Sequence, residues 1–313
     1  MQVPIIRSIS LKGYIMKNST LKILTHDGVF HADEVMAIAL LQHAYPTLKF
    51  DIFRSRKDTD YMNYDYVVDA GQQHGTVGQT VYLDHHQYDS TDEEFGKASA
   101  GMMLDYLNIK GSCPQLDNLI EEIDSQDIGV KRNGENHFSN VISGMNHHDI
   151  HTIEQYDAFN QAVILASIII NLIMLGKDTS EALAAQKKIN DTAKAKLIDS
   201  RNKTVSTRRS FTVNDLTVSI LHKDAQFIPG VMLSGVTDIL IQYDKGQECW
   251  TVQSIPLVKG EFGSKYDIVP QGTDNEIFIH KGGFIAKIRE VDGSVEFKIS
   301  NKEDIETVVK VSV

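Results

Sequence analysis

Apolar and polar residues change over in short blocks from residue 21 onward. Leu21-Lys-Ile-Leu-Thr25 is an apolar run of strand length. Asp33 to Tyr45 carries helical apolar spacing and stops at Pro46. Phe50 to Arg54 predicts a second strand, Tyr66-Val-Val-Asp-Ala70 a third, stopped by Gly71, and Val81-Tyr-Leu-Asp84 a fourth. Ser99 to Leu107 and Leu116 to Ile123 are spaced as helices. Short apolar strands alternating with helices predict an α/β domain with a doubly wound, mostly parallel sheet. Ligands of such sheets gather at the carboxyl ends of the strands. His26, Asp69 and Asp84 fall there, although the strands were placed from their apolar runs alone.

Beyond this block the texture changes twice. Residues from about Asp157 to Thr204 are helical, and Ala162 to Leu175 is the longest apolar run, interrupted by Ser167 and Asn171. A bilayer span needs about 20 apolar residues, so this run predicts a buried helix and no membrane. Lys194, Lys196, Arg201, Lys203, Arg208 and Arg209 make a basic stretch that closes the helical part. From Phe211 the pattern turns to β, with strands expected at Leu216 to His222, Ile239 to Tyr243, Cys249 to Ser254 and Glu276 to His280, and a hairpin turn at Asp244-Lys-Gly246. The expected division is a leader over 1–20, a metal-binding domain over 21–155, a helical connection over 156–209, and a smaller α+β domain over 210–313 that holds substrate.

A chain of 313 residues has room for two domains. Its two cysteines, Cys113 and Cys249, form no metal spacing and read as a reducing, intracellular and cytoplasmic setting. The first 22 residues carry Arg7, Lys12, Lys17 and Lys22 and no acid, which leaves organelle targeting open, with a short leader the simpler reading and Met16 an alternative start. The net charge of −11 argues against a basic footprint over the whole surface and suits carboxylates gathered around cations.

Four constellations carry candidate chemistry. His26, His31 and Asp33 combine imidazole with carboxylate, a donor set suited to Mn, Zn or Fe. The plainer reading makes Asp27 or Asp33 a helix cap. Asp69 ends a buried strand, and its two oxygens can bridge two cations. In Asp84-His85-His86, two histidines on extended chain would point to opposite sides, one to a metal and one to a substrate phosphate, with Asp84 orienting an imidazole. Asp124 and Asp127 follow a helix, and one of them could complete a second metal site. Asn146-His147-His148-Asp149, with His151, is a histidine-rich tract whose plain reading is a polar surface turn and whose sharper one is a peripheral substrate contact.

Together, Thr25-His-Asp-Gly-Val-Phe-His-Ala-Asp-Glu34, Val67-Val-Asp-Ala-Gly71, Tyr82-Leu-Asp-His-His-Gln87 and Ala98-Ser-Ala-Gly101 resemble the DHH phosphoesterase superfamily, and within it the melanocyte-proliferating-gene, or Myg, family, described as exonuclease-like. Glu122-Ile-Asp-Ser-Gln-Asp-Ile-Gly129, Ile241 to Pro256 around Trp250, and Ile277 to Ile285 extend the resemblance over roughly residues 21 to 288. Ile128 departs from the family's asparagine, and Ala286-Lys287-Ile288 from its glycine- and histidine-bearing continuation.

The resemblance implies two divalent ions, Mn²⁺ foremost, with Mg²⁺, Co²⁺ or Zn²⁺ as alternatives. His26, His31 and Asp69 would hold the first; Asp33, Asp69, His85 and Asp127 (or Asp124) the second. Asp84 and His86 would be the catalytic pair. His86, Ser99, His280, Lys281, Gly282 and Gly283 would meet substrate. The expected function is hydrolysis of phosphodiesters at RNA or DNA ends or in short oligonucleotides, by two metals, with closure of the second domain over the site. The alternatives are a small-molecule phosphatase or pyrophosphatase on the same ions, and a non-catalytic metal-dependent regulator. A homo-oligomer is left open.

Overall fold

In a computed structural model of the chain, the described residues are 20–55, 60–88, 92, 96–150, 152–213, 215–245, 247–255, 266–269, 276–279, 283–301 and 306–313. The leader up to residue 19, and with it Met16, lies outside them, as do His151, Gly246, His280, Lys281 and Gly282. The chain divides into two compact units, Met1–Thr192 and Ala193–Val313.

The first unit is built on five strands: β1 (Thr20–Thr25), β2 (Lys49–Arg54), β3 (Tyr66–Val68), β4 (His74–Val77) and β5 (Thr80–Leu83). Their order is β2-β1-β3-β5-β4. The first four of that row run parallel, and β4 pairs antiparallel with β5 at the edge. The order reverses between β1 and β3, the kind of crevice where parallel sheets take ligands.

Among the described residues α1 (Ala32–Ala44) connects β1 to β2, and α2 (Ser99–Tyr106), α3 (Pro114–Asp127), α4 (Phe138–Ser143), α5 (Ile153–Met174) and α6 (Ser180–Ser206) follow β5. Every residue of α1 from Ala32 to Leu41 is buried, so it is the central helix of the layer. One core joins it to Ile23, Tyr66, Val68, Val81 and Leu83 of the sheet and to the apolar faces of α2 through α5. The opposite sheet face carries a small cluster of Leu24, Val67 and Tyr82, packed by Tyr61 and Tyr64. The second helical layer expected of a doubly wound sheet is therefore not seen among the described residues. The mixed α/β class and the mostly parallel sheet are.

The stretch expected as a helical connection, 156–209, holds most of α5 and all of α6. Phe159, Ala162, Val163, Ala166, Ile169, Ile170 and Ile173 of α5 are buried in the first unit's core, so this helix is part of the domain. Ile153–Met174 is also long and apolar enough to cross a membrane by length and composition alone. Gly176, at a φ of +64°, breaks the helical stretch into α5 and α6. The boundary between the units falls inside α6.

The second unit has a six-stranded sheet, order β11-β12-β9-β8-β7-β6, and a three-stranded sheet, order β10-β13-β14. Its strands are β6 (Arg209–Val213), β7 (Leu216–Ile220), β8 (Ile239–Asp244), β9 (Cys249–Ser254), β10 (Tyr266–Val269), β11 (Glu276–Ile279), β12 (Ile285–Ile288), β13 (Ser294–Asn301) and β14 (Glu306–Ser312). Trp250 and Ile241 from the larger sheet share one core with Phe297 and Val309 from the smaller. β8 and β9 pair antiparallel, as a turn near Asp244 requires. The helix expected of an α+β domain over 210–313 is not seen among the described residues. Past the end of α6, its described regular structure is strand apart from one 3-10 turn at Gly230–Leu233, because period-two alternation persists to the end of the chain.

Candidate metal centre

The ends of β1, β3 and β5 and the start of α1 bring seven predicted residues together in the first unit. His26 follows β1. Its Nδ1 donates to the Asp27 carbonyl at 2.8 Å, which orients the ring. Its Nε2 lies 3.1 Å from Asp69 Oδ2 and 3.2 Å from Glu34 Oε1. His31, not Asp27 or Asp33, occupies the cap position of α1, and its backbone N–H donates to Glu34 at 2.9 Å. Asp33 is fully buried in the first helical turn, where the partial positive charge of the amide ends favours a carboxylate.

Asp69 stands just past β3 with a φ of +51°, a left-handed conformation that aspartate and asparagine tolerate better than most residues. This turn stops the strand at Val68 and swings the carboxylate toward the histidines. Its Oδ1 lies 3.6 Å from His85 Nδ1 and 3.4 Å from His86 Nδ1. His85 Nε2 lies 3.2 Å from Asp127 Oδ2, and His31 Nδ1 lies 3.7 Å from Asp127 Oδ1.

The histidine pair does not point to opposite sides. The backbone turns at once, with Tyr88 N–H bonded to the His85 carbonyl, and the two rings stack at 4.4 Å between centroids. Asp84 is committed to this turn. It accepts from Gln72 N–H at 2.7 Å, His86 N–H at 3.0 Å and His86 Nδ1 at 2.7 Å. Burial opposes ionisation of Asp84, but these bonds outweigh it and hold its carboxyl below the usual range. The same Asp84 bond raises the His86 imidazole, against burial. His86 is half exposed and lines two cavities, one of about 410 Å³ that also touches Lys97, Tyr88 and Asp127, and one of about 220 Å³ that also touches Tyr61, Gln72 and Asp69.

Three groups of side chains could hold a cation: His26, His31, Glu34 and Asp69; Asp69, Asp84, His85 and His86; and His31, Asp33 and Asp127. Asp69 and His31 each belong to two groups. The donor set fits divalent ions on independent grounds. Asp33 Oδ1, Asp69 Oδ1 and His85 Nδ1 are buried without a hydrogen-bond partner, a cost that a coordinated cation removes. Carboxylates also crowd without enough positive charge. Burial first, then the negative charge of Asp33 and Asp69, pushes Asp127 up to about 10. Burial pushes Glu34 up to about 8, and burial with the Asp69 charge raises Asp33. At His26, burial works against the charged ring, but Asp69 and Glu34 prevail and push it up to about 11.

Glu34 went unnoticed in the sequence, where an acid in a first helical turn reads as complement to the helix dipole. Asp124, left open beside Asp127, is turned elsewhere. It is buried, and its Oδ1 accepts from Gly101 N–H at 3.1 Å in the first turn of α2. A Cβ on Gly101 would collide with the other carboxylate oxygen. Gly101→Ala is therefore expected to destabilise the protein by about 1–3 kcal/mol, the usual range for overpacking. Calorimetry showing an unchanged melting temperature would contradict this packing. Ser99, expected at substrate, is fully buried. Its hydroxyl donates to the Leu83 carbonyl at 2.9 Å and its N–H to Asp33 Oδ2 at 3.3 Å, so it supports the site from behind. Gly283, in the second unit, has a φ of +67° and lies against Asp267.

Residues 22–107 match the model of an uncharacterised protein family, UPF0160. A MYG1 protein of Chlamydia muridarum is 37% identical over 126 residues, which span 38% of this chain and 42% of that protein. MYG1 proteins of Schizosaccharomyces pombe and Saccharomyces cerevisiae are 33% and 30% identical over 36% of this chain, spanning 34% and 38% of their own lengths. The chain thus aligns with less than half the length of these relatives. No solved structure matches it. The stretch matched by the family model contains His26, His31, Asp33, Asp69 and Asp84-His85-His86 and ends before Asp127, and about a third of the chain is similar to MYG1 proteins.

Proposed function

We propose that this protein is a two-metal phosphodiester hydrolase of the DHH type that acts on RNA or DNA ends or on short oligonucleotides. The observation that carries the reading is the convergence on Asp69, whose two oxygens face His26 on one side and His85 and His86 on the other. His26, His31 and Asp69 would hold one ion, with Glu34 beside them. Asp33, Asp69, His85 and Asp127 would hold the other. Divalent ions in such a pair, Mn²⁺ foremost, supply an acidified water and neutralise phosphoryl charge.

The chain's own residues do the rest. The Asp84 carboxylate fixes the His86 ring through Nδ1 and keeps it protonated, so Nε2 can donate to a phosphoryl or leaving oxygen. The buried carboxylates and the packed strand ends behind them keep the donors fixed before substrate arrives. His86 lines two cavities, and a phosphate whose substituents enter both would be a diester rather than a small monoester. That favours the diester reading over a small-molecule phosphatase. The test is incubation of purified protein and Mn²⁺ with end-labelled single-stranded RNA and DNA, dinucleotides and pyrophosphate. Stepwise shortening or dinucleotide cleavage is expected. Turnover of pyrophosphate alone, or of nothing, defeats the proposal.

A further inference from the structure

We propose that Asn146 and Gln155, neither of which reaches the metal centre, are positioning residues that set the His26–His31 loop and thereby the affinity of the centre for divalent cations. The inference rests on the metal reading above. The segment between the two histidines, Asp27–Phe30, lies outside regular secondary structure, so its backbone groups need partners from elsewhere. Two side-chain amides supply them. Asn146 binds both backbone groups of Phe30, accepting from its N–H at 2.9 Å and donating to its carbonyl at 2.8 Å. Gln155, itself buried, donates to the Gly28 carbonyl at 2.6 Å and to Asn146 Oδ1 at 2.6 Å. Its own oxygen accepts from His147 N–H at 2.6 Å, which fixes the amide's orientation. Arg54 closes the clamp, donating to the Gly28 carbonyl at 3.1 Å with its guanidinium 4.5 Å from the Phe159 ring centroid.

A primary amide presents an acceptor and two donors in one plane, so no other neutral side chain can make this set of bonds. The clamp acts on the metal donors through the backbone. His26 Nε2 is aimed by the bond from Nδ1 to the Asp27 carbonyl, one residue before clamped Gly28. His31 follows clamped Phe30 directly. Asn146 opens the histidine-rich tract, and its inward amide gives that tract a role that neither a surface turn nor a substrate contact describes. His147 and His148 stack on each other at 4.1 Å and belong to none of the three cation groups found among the described residues.

The experiment is calorimetric titration of the full chain with MnCl₂, alongside its melting temperature, for wild type, Asn146→Asp, Gln155→Met and Leu107→Ala. Leu107 is a buried core residue outside the centre, so its truncation lowers stability without touching the loop. Both amide variants are expected to weaken Mn²⁺ binding by about 10–100-fold, the usual loss when an outer partner of a metal ligand is removed. Leu107→Ala should melt earlier and keep its Mn²⁺ affinity within about twofold of wild type. The proposal is overturned if the amide variants bind Mn²⁺ as wild type does, or if Leu107→Ala weakens binding equally. Asn146→Asp keeps the size and the acceptor for Phe30 N–H, and it decides the matter alone if Gln155→Met does not fold. Wild type that takes up no Mn²⁺ removes the metal reading and this inference together. Wild type that binds, with variants that bind equally, removes this inference only.

Discussion

Asp69→Asn is expected to abolish uptake of the paired ions while leaving the fold intact. Asparagine tolerates the +51° φ at this position, and the backbone N–H that donates to the Leu83 carbonyl is unchanged. What is lost is the charge and one of the two oxygens that face the histidines on both sides. If the protein is a phosphoesterase, its rate should fall by at least about 10²–10³-fold, the range seen when one preorganised electrostatic contact to the reacting centre is removed. Stability should change little. The Asp69 charge is among the causes that raise Asp33, Glu34 and Asp127, so its removal relieves repulsion there, but it also gives up the pairing with buried His26, and the metal-free variant should melt close to metal-free wild type. A variant that still binds two ions per chain would sink the bridging role.

Divalent ions should stabilise the protein, and more so as pH rises. The folded-state pKa values of Glu34, about 8, and Asp127, about 10, lie above those of free carboxyls, and Asp33 is raised in the same direction. A carboxyl raised by folding favours the folded state at low pH and loses that contribution as pH rises through its folded value. His26, raised to about 11, acts in the same sense: its contribution is complete below the ordinary imidazole range and is lost on the way to its folded value. Metal-free protein should thus lose stability steadily from about pH 5 to about pH 10, by an amount on the order of a few kcal/mol in all. Cations bind the deprotonated forms, so the rise in melting temperature on adding Mn²⁺ should grow over the same window. Melting curves with EDTA and with Mn²⁺ at several pH values check this. A Mn²⁺ shift that shrinks with rising pH would contradict the crowded-carboxylate account.

Much of the first unit is legible in the order of residues. β1, β2, β3 and β5 are apolar runs bounded by charged, Gly or Pro punctuation, and α1 is capped before an apolar stretch and stopped before Pro46. β4 is not legible, because His74-Gly-Thr-Val77 is exposed throughout and carries no apolar run. Neither is the pairing of β13 with both β10 and β14 apparent, since alternation marks a strand but does not name its neighbours. The site divides in the same way. Histidines and aspartates at strand ends stand out by type and place. Whether Asp124 or Asp127 faces the cluster does not, for the two share a helix three residues apart, and only the approach of Gly101 separates their roles. The stacking of His85 on His86 depends on a turn with no glycine to announce it. The amides of Asn146 and Gln155 act on residues more than a hundred positions away, a relation that no local pattern carries.

Anomalous diffraction from crystals grown with Mn²⁺ tests the central claim most directly. Two peaks are predicted in the first unit, one within coordination distance of His26, His31 and Asp69, the other of Asp33, His85 and Asp127, with Asp69 reaching both. A single peak that leaves Asp69 uncoordinated, or density for manganese only elsewhere on the protein, would contradict the two-metal centre.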